Sequence, residues 1–326
     1  MSEDKKDIYF RVFRFNPEVD DKSYYDEYKI TVEKGITILR AINYIKDHID
    51  PKLSYRFYCQ AGICGSCAIK VNGVSKLACT TQVWDELENT KEPNVITIDP
   101  LSNLNVMRDM VVDYNPVIEK LKKYKSWVVP TMDEKDLGKA EYRIAEKDFQ
   151  VIDPATDCIL CAACFSECTI MEVSPEFISP LVLLKSFRMN KDERDTQQVS
   201  RLNILNADHG MWDCTHCYKC VEACVKNIPI MDAISGIRND AIQRKMTKTE
   251  GYRHGVAFEQ DILANGRLNE GMLPVKTKGL LRSISLIPMG IKMIMKGRMP
   301  GLFVHKIPGI KNVRRMYKKV SELKNK

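Results

Sequence analysis

The twelve cysteines of this 326-residue chain constrain its structure most, because they fall into three sets of four with the spacing of iron–sulfur ligands. The first set has the pattern C-x4-C-x2-C-x11-C, which is typical of a plant-type [2Fe–2S] site. The other two share the pattern C-x2-C-x2-C-x3-C of bacterial two-cluster ferredoxins. The sets are Cys59, Cys64, Cys67 and Cys79; Cys158, Cys161, Cys164 and Cys168; and Cys214, Cys217, Cys220 and Cys224. With no cysteine left for a disulfide or a nucleophile, the sequence indicates an electron-transfer protein.

The first set lies in a glycine-rich segment that suits a cluster. Three thiolates must converge from one loop, and Gly62 and Gly65 permit the unusual backbone angles that this requires. The Asn72-Gly73 pair predicts a hairpin turn that returns the chain to Cys79. Thiolates at C-x2-C spacing also bind zinc, so a structural zinc scaffold is the alternative. Zinc sites usually pair two short cysteine knuckles, whereas one loop holds three cysteines here, and this favours the cluster.

Hydrophobic patterns around these motifs predict strands first and helices later. Strand-like patterns occupy Ile8–Phe15, Lys29–Val32 and Val95–Ile98. Residues at helical spacing are Ile38, Leu39, Ile42 and Ile45, and, within the predicted helices of 178–206, Leu181, Leu184 and Phe187. We expect this last stripe to lie in the core.

The charge is unevenly distributed along the chain. Residues 276–326 contain fourteen lysines and arginines and one acid, Glu322, so this stretch carries +13 while the whole chain carries +7. Such a basic tail favours an anionic membrane surface or an acidic partner, and a solvated extension is the alternative. The charged N-terminus predicts no signal peptide, and no apolar run approaches the roughly 18–20 residues of a membrane span.

The same tail has an amphipathic pattern. Leu280, Ile284, Ile287 and Ile291 share one helical face if Pro288 is tolerated as a kink. An adaptable apolar surface is added by Met289, Met293, Met295 and Met299. Basic residues beside this face favour an interfacial position or a docked partner, and packing onto the rest of the chain is the alternative. We expect no nucleic-acid partner.

Several motifs together resemble the iron–sulfur subunit of succinate dehydrogenase or fumarate reductase. They are CQAGICGSCAIKVNG (59–73), Arg108–Val128, CILCAACFSEC (158–168), FISPLVLLKSFRMNKDERD (177–195) and Arg201-Leu202, and the resemblance covers about residues 7–240. It implies an α+β fold with a plant-type β-grasp ferredoxin domain (1–105) followed by an all-α two-cluster ferredoxin-like domain (106–260). The charge and the apolar spacing described above predict a basic amphipathic tail (261–326) after them. The family resemblance further implies a non-catalytic subunit that carries single electrons between a FAD-containing, dicarboxylate-converting subunit and a quinone-reacting partner.

The resemblance also implies how the last eight cysteines are shared. In two-cluster ferredoxins the fourth cysteine of each run ligates the other cluster. The expected sites are Cys158, Cys161, Cys164 and Cys224 for the first [4Fe–4S] cluster, and Cys168, Cys214, Cys217 and Cys220 for the second. Most relatives have another residue at the position of Cys217 and a [3Fe–4S] cluster there. The fourth thiolate therefore predicts a second [4Fe–4S] cluster, and a [3Fe–4S] cluster beside a free Cys217 is the alternative.

The sequence departs from common relatives around the quinone pocket as well. They use a tryptophan after the first run and a histidine after the first cysteine of the second, where this chain has Thr169–Glu172 and Thr215. His216, one position further on, is either a proton relay or an exposed loop histidine. Trp212 is expected to pack.

The tail (LLRSISLIPMGIKMIMKGRMPGLFVHKIPGIKNVRRMYKKV) is similar to those of non-standard "type E" succinate dehydrogenases, methylmenaquinol:fumarate reductases and heterodisulfide reductase ferredoxin subunits. This likeness implies a quinol-linked, cysteine-rich partner in place of the usual membrane anchors. The alternative is a thiol:fumarate or heterodisulfide reductase-type complex. We expect a peripheral membrane protein. Its place is the periplasmic face, by co-export with a twin-arginine-signalled flavoprotein, if it belongs to the methylmenaquinol branch, and otherwise the cytoplasmic face.

Overall fold

The computed structural model describes residues 5–90, 92–131, 133–136, 138–139, 141–246, 248–301 and 304–324. Residues 1–4, which belong to the segment predicted not to be a signal peptide, lie outside this range. The chain divides into two compact units, Met1–Asp240 and Ala241–Lys326.

The first unit begins with a mixed five-stranded sheet in the order β2-β1-β5-β3-β4. Its strands are β1 (Lys5–Arg14), β2 (Tyr24–Glu33), β3 (Ala68–Val71), β4 (Val74–Leu77) and β5 (Val95–Asp99). The pairs β1·β2, β3·β4 and β3·β5 are antiparallel, and β1·β5 is parallel. A separate two-stranded ladder joins β6 (Val106–Arg108) to β7 (Val111–Val112).

The local patterns explain these elements. Ile8, Phe10 and Val12 alternate along β1 and are fully buried. Helix α1 (Ile38–His48) begins where the Thr37 hydroxyl accepts a hydrogen bond from the Arg40 amide at 3.3 Å. The predicted strands and this helix are confirmed, although β2 begins five residues before the predicted Lys29.

The rest of the first unit is helical. Its helices are α2 (Val83–Leu87), α3 (Asn115–Lys123), α4 (Glu146–Thr156), α5 (Ala163–Ser166), α6 (Thr169–Val173), α7 (Pro180–Lys191), α8 (Gln198–Leu205), α9 (Lys219–Glu222) and α10 (Ile230–Gln243), which runs past Asp240. Short 3-10 turns occupy Glu134–Asp136 and Met211–Asp213. The predicted apolar stripe lies on α7: Leu181 and Leu184 are buried, and half-buried Phe187 lies against Gly236, where a Cβ atom would come within 2.6 Å of the ring.

The second unit contains α11 (Glu250–Asn265), α12 (Leu273–Lys278), α13 (Leu280–Ser283), α14 (Ile287–Met295) and α15 (Ile310–Lys324). The apolar residues around Pro288 do not form one helix kinked at that residue, which was the condition for their shared face. A 3-10 turn at Ile284–Leu286 separates α13 from α14, and Pro288 lies in the first turn of α14. Proline is tolerated there because its missing N–H has no partner in the first turn. In the part of the chain that the structure describes, no helix combines the length and apolar character needed to cross a membrane.

Candidate iron–sulfur cluster sites

The loop before β3 presents backbone donors to a thiol. The amides of Ala61, Ile63 and Cys64 donate hydrogen bonds to the Cys59 sulfur at 3.4, 3.4 and 3.3 Å. Hydrogen bonds from the Ala61, Cys64 and Ile63 amides lower the pKa of the Cys59 thiol to about 6, because each favours the anionic sulfur. The loop therefore favours a thiolate at this position.

The other cysteines of this set approach from the β3–β4 hairpin and from the end of the loop. Cys67 and Cys79 are buried, and burial, followed by the neighbouring Cys79 thiol, raises the pKa of Cys67 to about 12. A buried thiol of this kind needs a metal or another cation to ionise. Asn72 and Gly73 have φ values of 51° and 83°, which match a two-residue hairpin turn and confirm its prediction.

The two C-x2-C-x2-C-x3-C runs share an unusual backbone. Leu160 and Ala162 flank Cys161 with φ values of 56° and 62°, and His216 and Tyr218 flank Cys217 with 57° and 65°. Left-handed conformations are uncommon for such residues, so their recurrence shows that both loops adopt one shape. Cys217 therefore occupies the same position in the loop of the second run as Cys161 occupies in the loop of the first run.

The first run is joined by the last cysteine of the second. Cys158, Cys161, Cys164 and Cys224 line one small cavity. Burial raises the pKa of Cys161 to about 11, and the neighbouring Cys158 and Cys224 thiols act in the same direction. The structure therefore brings together the four residues expected at the first [4Fe–4S] site.

The second run is likewise joined by the last cysteine of the first. Burial raises the pKa of Cys220 to about 12, and the nearby thiols of Cys214, Cys168 and Cys217 raise it further. Cys217 is exposed, and its sulfur lies 3.9 Å from the Thr169 hydroxyl oxygen. The four residues expected at the second site also lie together.

The three cysteine sets follow one another closely through the first unit. Gly65, with φ of 73°, lies so near the first run that a Cβ atom would come within 3.0 Å of the Cys161 Cα. Burial raises the pKa of Cys164 well above its usual value, and the contributing neighbours include Cys220 of the second run. In space, the three sets therefore follow the order of the sequence: the set of Cys59–Cys79 lies next to the first run, and the first run lies next to the second.

The donor set of each site suits an iron–sulfur cluster. Each of the three sets consists of four cysteine thiols, and none of them is in a disulfide. An iron–sulfur cluster spreads the same four thiolates over several iron atoms. When bound, such clusters supply one-electron transfer, and the chain positions their thiolates.

Two contacts around these sites have no signal in the sequence. The Tyr114 hydroxyl donates a hydrogen bond to the Leu160 carbonyl, inside the first run. The Asn103 side-chain amide donates to the carbonyls of Phe165, Ser166 and Cys168, each at 3.0 Å. Both join residues more than forty positions apart, so no local pattern reveals them.

The two further residues noted near the second run have structural contacts. Trp212 packs as expected: its indole N–H donates to the Asn206 side chain at 2.6 Å. His216 is exposed, in agreement with the loop alternative, and its Nε2 accepts a hydrogen bond from Arg238 at 2.6 Å.

Known families match both parts of the first unit. Residues 9–119 match the 2Fe-2S iron-sulfur cluster binding domain, and residues 154–228 match the 4Fe-4S dicluster domain. Together with the fold and the three cysteine sets, they define a multi-cluster iron–sulfur protein that transfers electrons. The predicted cofactors, one [2Fe–2S] cluster and two further clusters, are confirmed at this level.

Relatives of this class make the assignment more specific. The chain is 33% identical to the fumarate reductase iron-sulfur subunit of Mycobacterium tuberculosis over 74% of its own length and 95% of the relative's. It is 30% identical to the 8-methylmenaquinol:fumarate reductase iron-sulfur subunit of Wolinella succinogenes over 91% and 94%, respectively. A chain of the Mycobacterium smegmatis Sdh1 complex in the apo form superposes with a TM-score of 0.65 at 26% identity, covering 75% of this chain and 99% of that one. The chain belongs to the iron–sulfur subunits of fumarate reductase and succinate dehydrogenase, which confirms the predicted family and its electron-transfer role in an oxidoreductase complex.

Proposed function

We propose that this subunit carries single electrons between a FAD-containing, dicarboxylate-converting subunit and a cysteine-rich subunit that reacts with a menaquinol. The extent of the similarity supports this branch of the family. The Wolinella succinogenes relative aligns over 91% of the chain, whereas the Mycobacterium tuberculosis relative aligns over 74%. The proposal includes a β-grasp domain over 1–105, a two-cluster ferredoxin-like domain over 106–260 and a contact tail over 261–326.

One observation carries this proposal: Cys217 occupies the backbone place of Cys161. The flanking left-handed residues give both loops the same shape, and Cys217 lies near Cys168, Cys214 and Cys220. A thiolate offered at this position binds an iron corner, because the loop already has the shape of a ligand loop. The second cluster is therefore [4Fe–4S] rather than [3Fe–4S].

Iron analysis and EPR of the oxidised, anaerobically purified complex test this assignment. We expect about ten irons per chain and no [3Fe–4S] signal, since clusters of two, four and four irons are bound. The Cys217→Ala variant should lose about one iron and acquire a [3Fe–4S] signal. About nine irons and a [3Fe–4S] signal in the unaltered complex would refute the assignment of Cys217 as a ligand.

The partner itself is tested by what co-purifies. A complex that oxidises 8-methylmenaquinol and reduces fumarate supports the proposal. A complex that oxidises thiols instead would favour the thiol:fumarate or heterodisulfide reductase alternative. Separation of periplasm and cytoplasm, each assayed for the subunit, tests the periplasmic location implied by the methylmenaquinol branch.

The second unit is the proposed contact with an anionic membrane surface. Between Leu280 and Met295, eight large apolar side chains are more than half exposed: Leu280, Leu281, Ile284, Ile287, Met289, Ile291, Ile294 and Met295. Beside them lies a cavity of about 510 Å³, lined mainly by apolar residues between Glu270 and Pro300. An exposed apolar surface of this kind is typical of an interaction site.

The combination of positive charge and exposed apolar side chains favours an anionic lipid surface. Helix α15 contains six basic residues and one acid, and its side chains Met316, Val320 and Leu323 are more than half exposed. A basic amphipathic helix places its apolar face among acyl chains and its cations among anionic headgroups.

Vesicle co-sedimentation of the full-length holoprotein tests this contact. We expect binding to vesicles that contain phosphatidylglycerol and little binding to phosphatidylcholine alone. The Lys318→Glu/Lys319→Glu variant should bind at least roughly tenfold more weakly, because each basic residue near an anionic surface contributes about 1 kcal/mol. Ile291→Glu/Ile294→Glu should also lose binding, since it places carboxylates on the apolar face.

The matched control for charge reversal is Lys122→Glu/Lys123→Glu on α3, where both side chains are exposed. It should bind vesicles like the unaltered protein. If the unaltered protein ignores anionic vesicles but the tail variants lose the cysteine-rich subunit, the tail binds protein and the membrane proposal is wrong.

A further inference from the structure

After each cysteine run comes a helix with a basic side chain that contacts the run. Lys185, on α7, donates a hydrogen bond through its ammonium to the carbonyl oxygen of Cys158 at 3.1 Å. Arg238, on α10, donates through Nη2 to the carbonyl oxygen of Cys214 at 2.8 Å. Cys158 and Cys214 are the first cysteines of their runs, so the two contacts are equivalent in the repeat.

Arg238 has additional anchors that fix its guanidinium. Its Nη2 and Nε donate to the carbonyl of Met211 at 2.6 and 3.1 Å, and its Nη1 donates to His216. The guanidinium also lies over the Trp212 ring, 5.1 Å from the centroid. These contacts hold a planar, permanently charged group beside the second run.

Both cations are half-buried, which strengthens their effect. Lys185 extends from a helix whose neighbouring Leu181 and Leu184 are almost fully buried. Away from bulk water, a charge interacts with its surroundings much more strongly than at an exposed surface.

We propose that Lys185 and Arg238 are positioning residues that raise the reduction potentials of the first and second four-thiolate sites, respectively. A site with four thiolates is anionic, and each electron that the established activity delivers adds negative charge to it. A cation held beside the site stabilises that added charge and so favours the reduced state. Paired cations would thus set the potentials of two successive sites independently.

Potentiometric titration followed by EPR of the holocomplex tests the proposal with two charge-removing variants. Lys185→Met should lower the midpoint potential of the first site only, and Arg238→Gln that of the second only. At a fixed ambient potential near the midpoint, we expect the ratio of reduced to oxidised site to fall on the order of tenfold. The conservative variants Lys185→Arg and Arg238→Lys keep the charge, so their midpoint potentials should lie close to those of the unaltered protein.

Lys120→Met is the matched control. The Lys120 ammonium also donates to two carbonyls, those of Pro175 and Phe177 at 2.8 and 2.7 Å, but neither belongs to a cysteine. Its removal should leave both potentials unchanged.

Three results would overturn the proposal: unchanged potentials in Lys185→Met and Arg238→Gln, equal shifts at both sites in either variant, or a comparable shift in the Lys120 control. Iron content separates a structural role from this one. If Arg238→Gln loses iron, the second-site potential is measured in Arg238→Lys instead. A potential near that of the unaltered protein supports the role of the charge. A potential as low as that of any second site remaining in Arg238→Gln refutes it.

Discussion

At the scale of single residues, Arg201 shows how a charge is held inside the helical part. Its guanidinium and the carboxylate of Asp195 are both almost fully buried, and they form a salt bridge with N···O of 2.9 Å. Arg201 also donates to the Asn190 side chain and to the carbonyls of Lys125 and Trp127. The guanidinium therefore joins α7, α8 and the segment after α3.

We predict that Arg201→Leu destabilises the holoprotein by about 3–5 kcal/mol, because it leaves the Asp195 carboxylate buried without its partner. Urea unfolding followed by circular dichroism measures this loss. Arg143→Leu removes an arginine whose pair with Glu141 is largely exposed, and it should cost less than about 1 kcal/mol. Equal losses of unfolding free energy in the two variants would show that the buried pair contributes no more to stability than the exposed one.

At the scale of secondary-structure elements, the sequence predicts an element correctly where the signal lies within a few neighbouring residues. The alternation in Ile8–Phe15 predicts β1, and Asn72-Gly73 predicts the hairpin, because both signals lie within a few neighbouring residues. The tail shows the limit of this reasoning. The apolar spacing around Pro288 fits one helix, but where the helix stops depends on backbone hydrogen bonds, and α14 starts afresh at Ile287.

The candidate sites likewise contain residues that the sequence reveals and residues that it does not. Cysteine spacing indicates all twelve candidate ligands because each run is local, and the resemblance to two-cluster ferredoxins implies the exchange of the fourth cysteines. The contacts of Lys185 and Arg238 have no local signal in the sequence, since each side chain donates to a carbonyl more than twenty positions earlier in the chain. Tertiary packing, rather than any motif, decides which of the chain's many cations lie beside a cysteine.

At the scale of the whole molecule, we expect the shared cysteines to make the stability of the helical part of the first unit depend on its clusters. Cys224 returns to the run that begins at Cys158, and Cys168 lies with the second run, so each candidate site closes the chain around α7 and α8. Metal binding that closes such loops contributes directly to folding free energy. The N-terminal sheet differs, since Ile8, Phe10 and Val12 build a core from side chains of that domain.

We therefore predict that removing iron and sulfide has unequal effects within the first unit. Hydrogen–deuterium exchange with mass spectrometry should show α7 and α8 losing most of their protection, because the thiols near Cys158 and Cys214 are no longer held together. Strands β1 and β2 should keep theirs, since they pair over ten residues and bury their own apolar face. Reconstitution with iron and sulfide should restore protection in both helices. Full protection of α7 and α8 in the iron-free chain would mean that side-chain packing holds the helical part without its clusters.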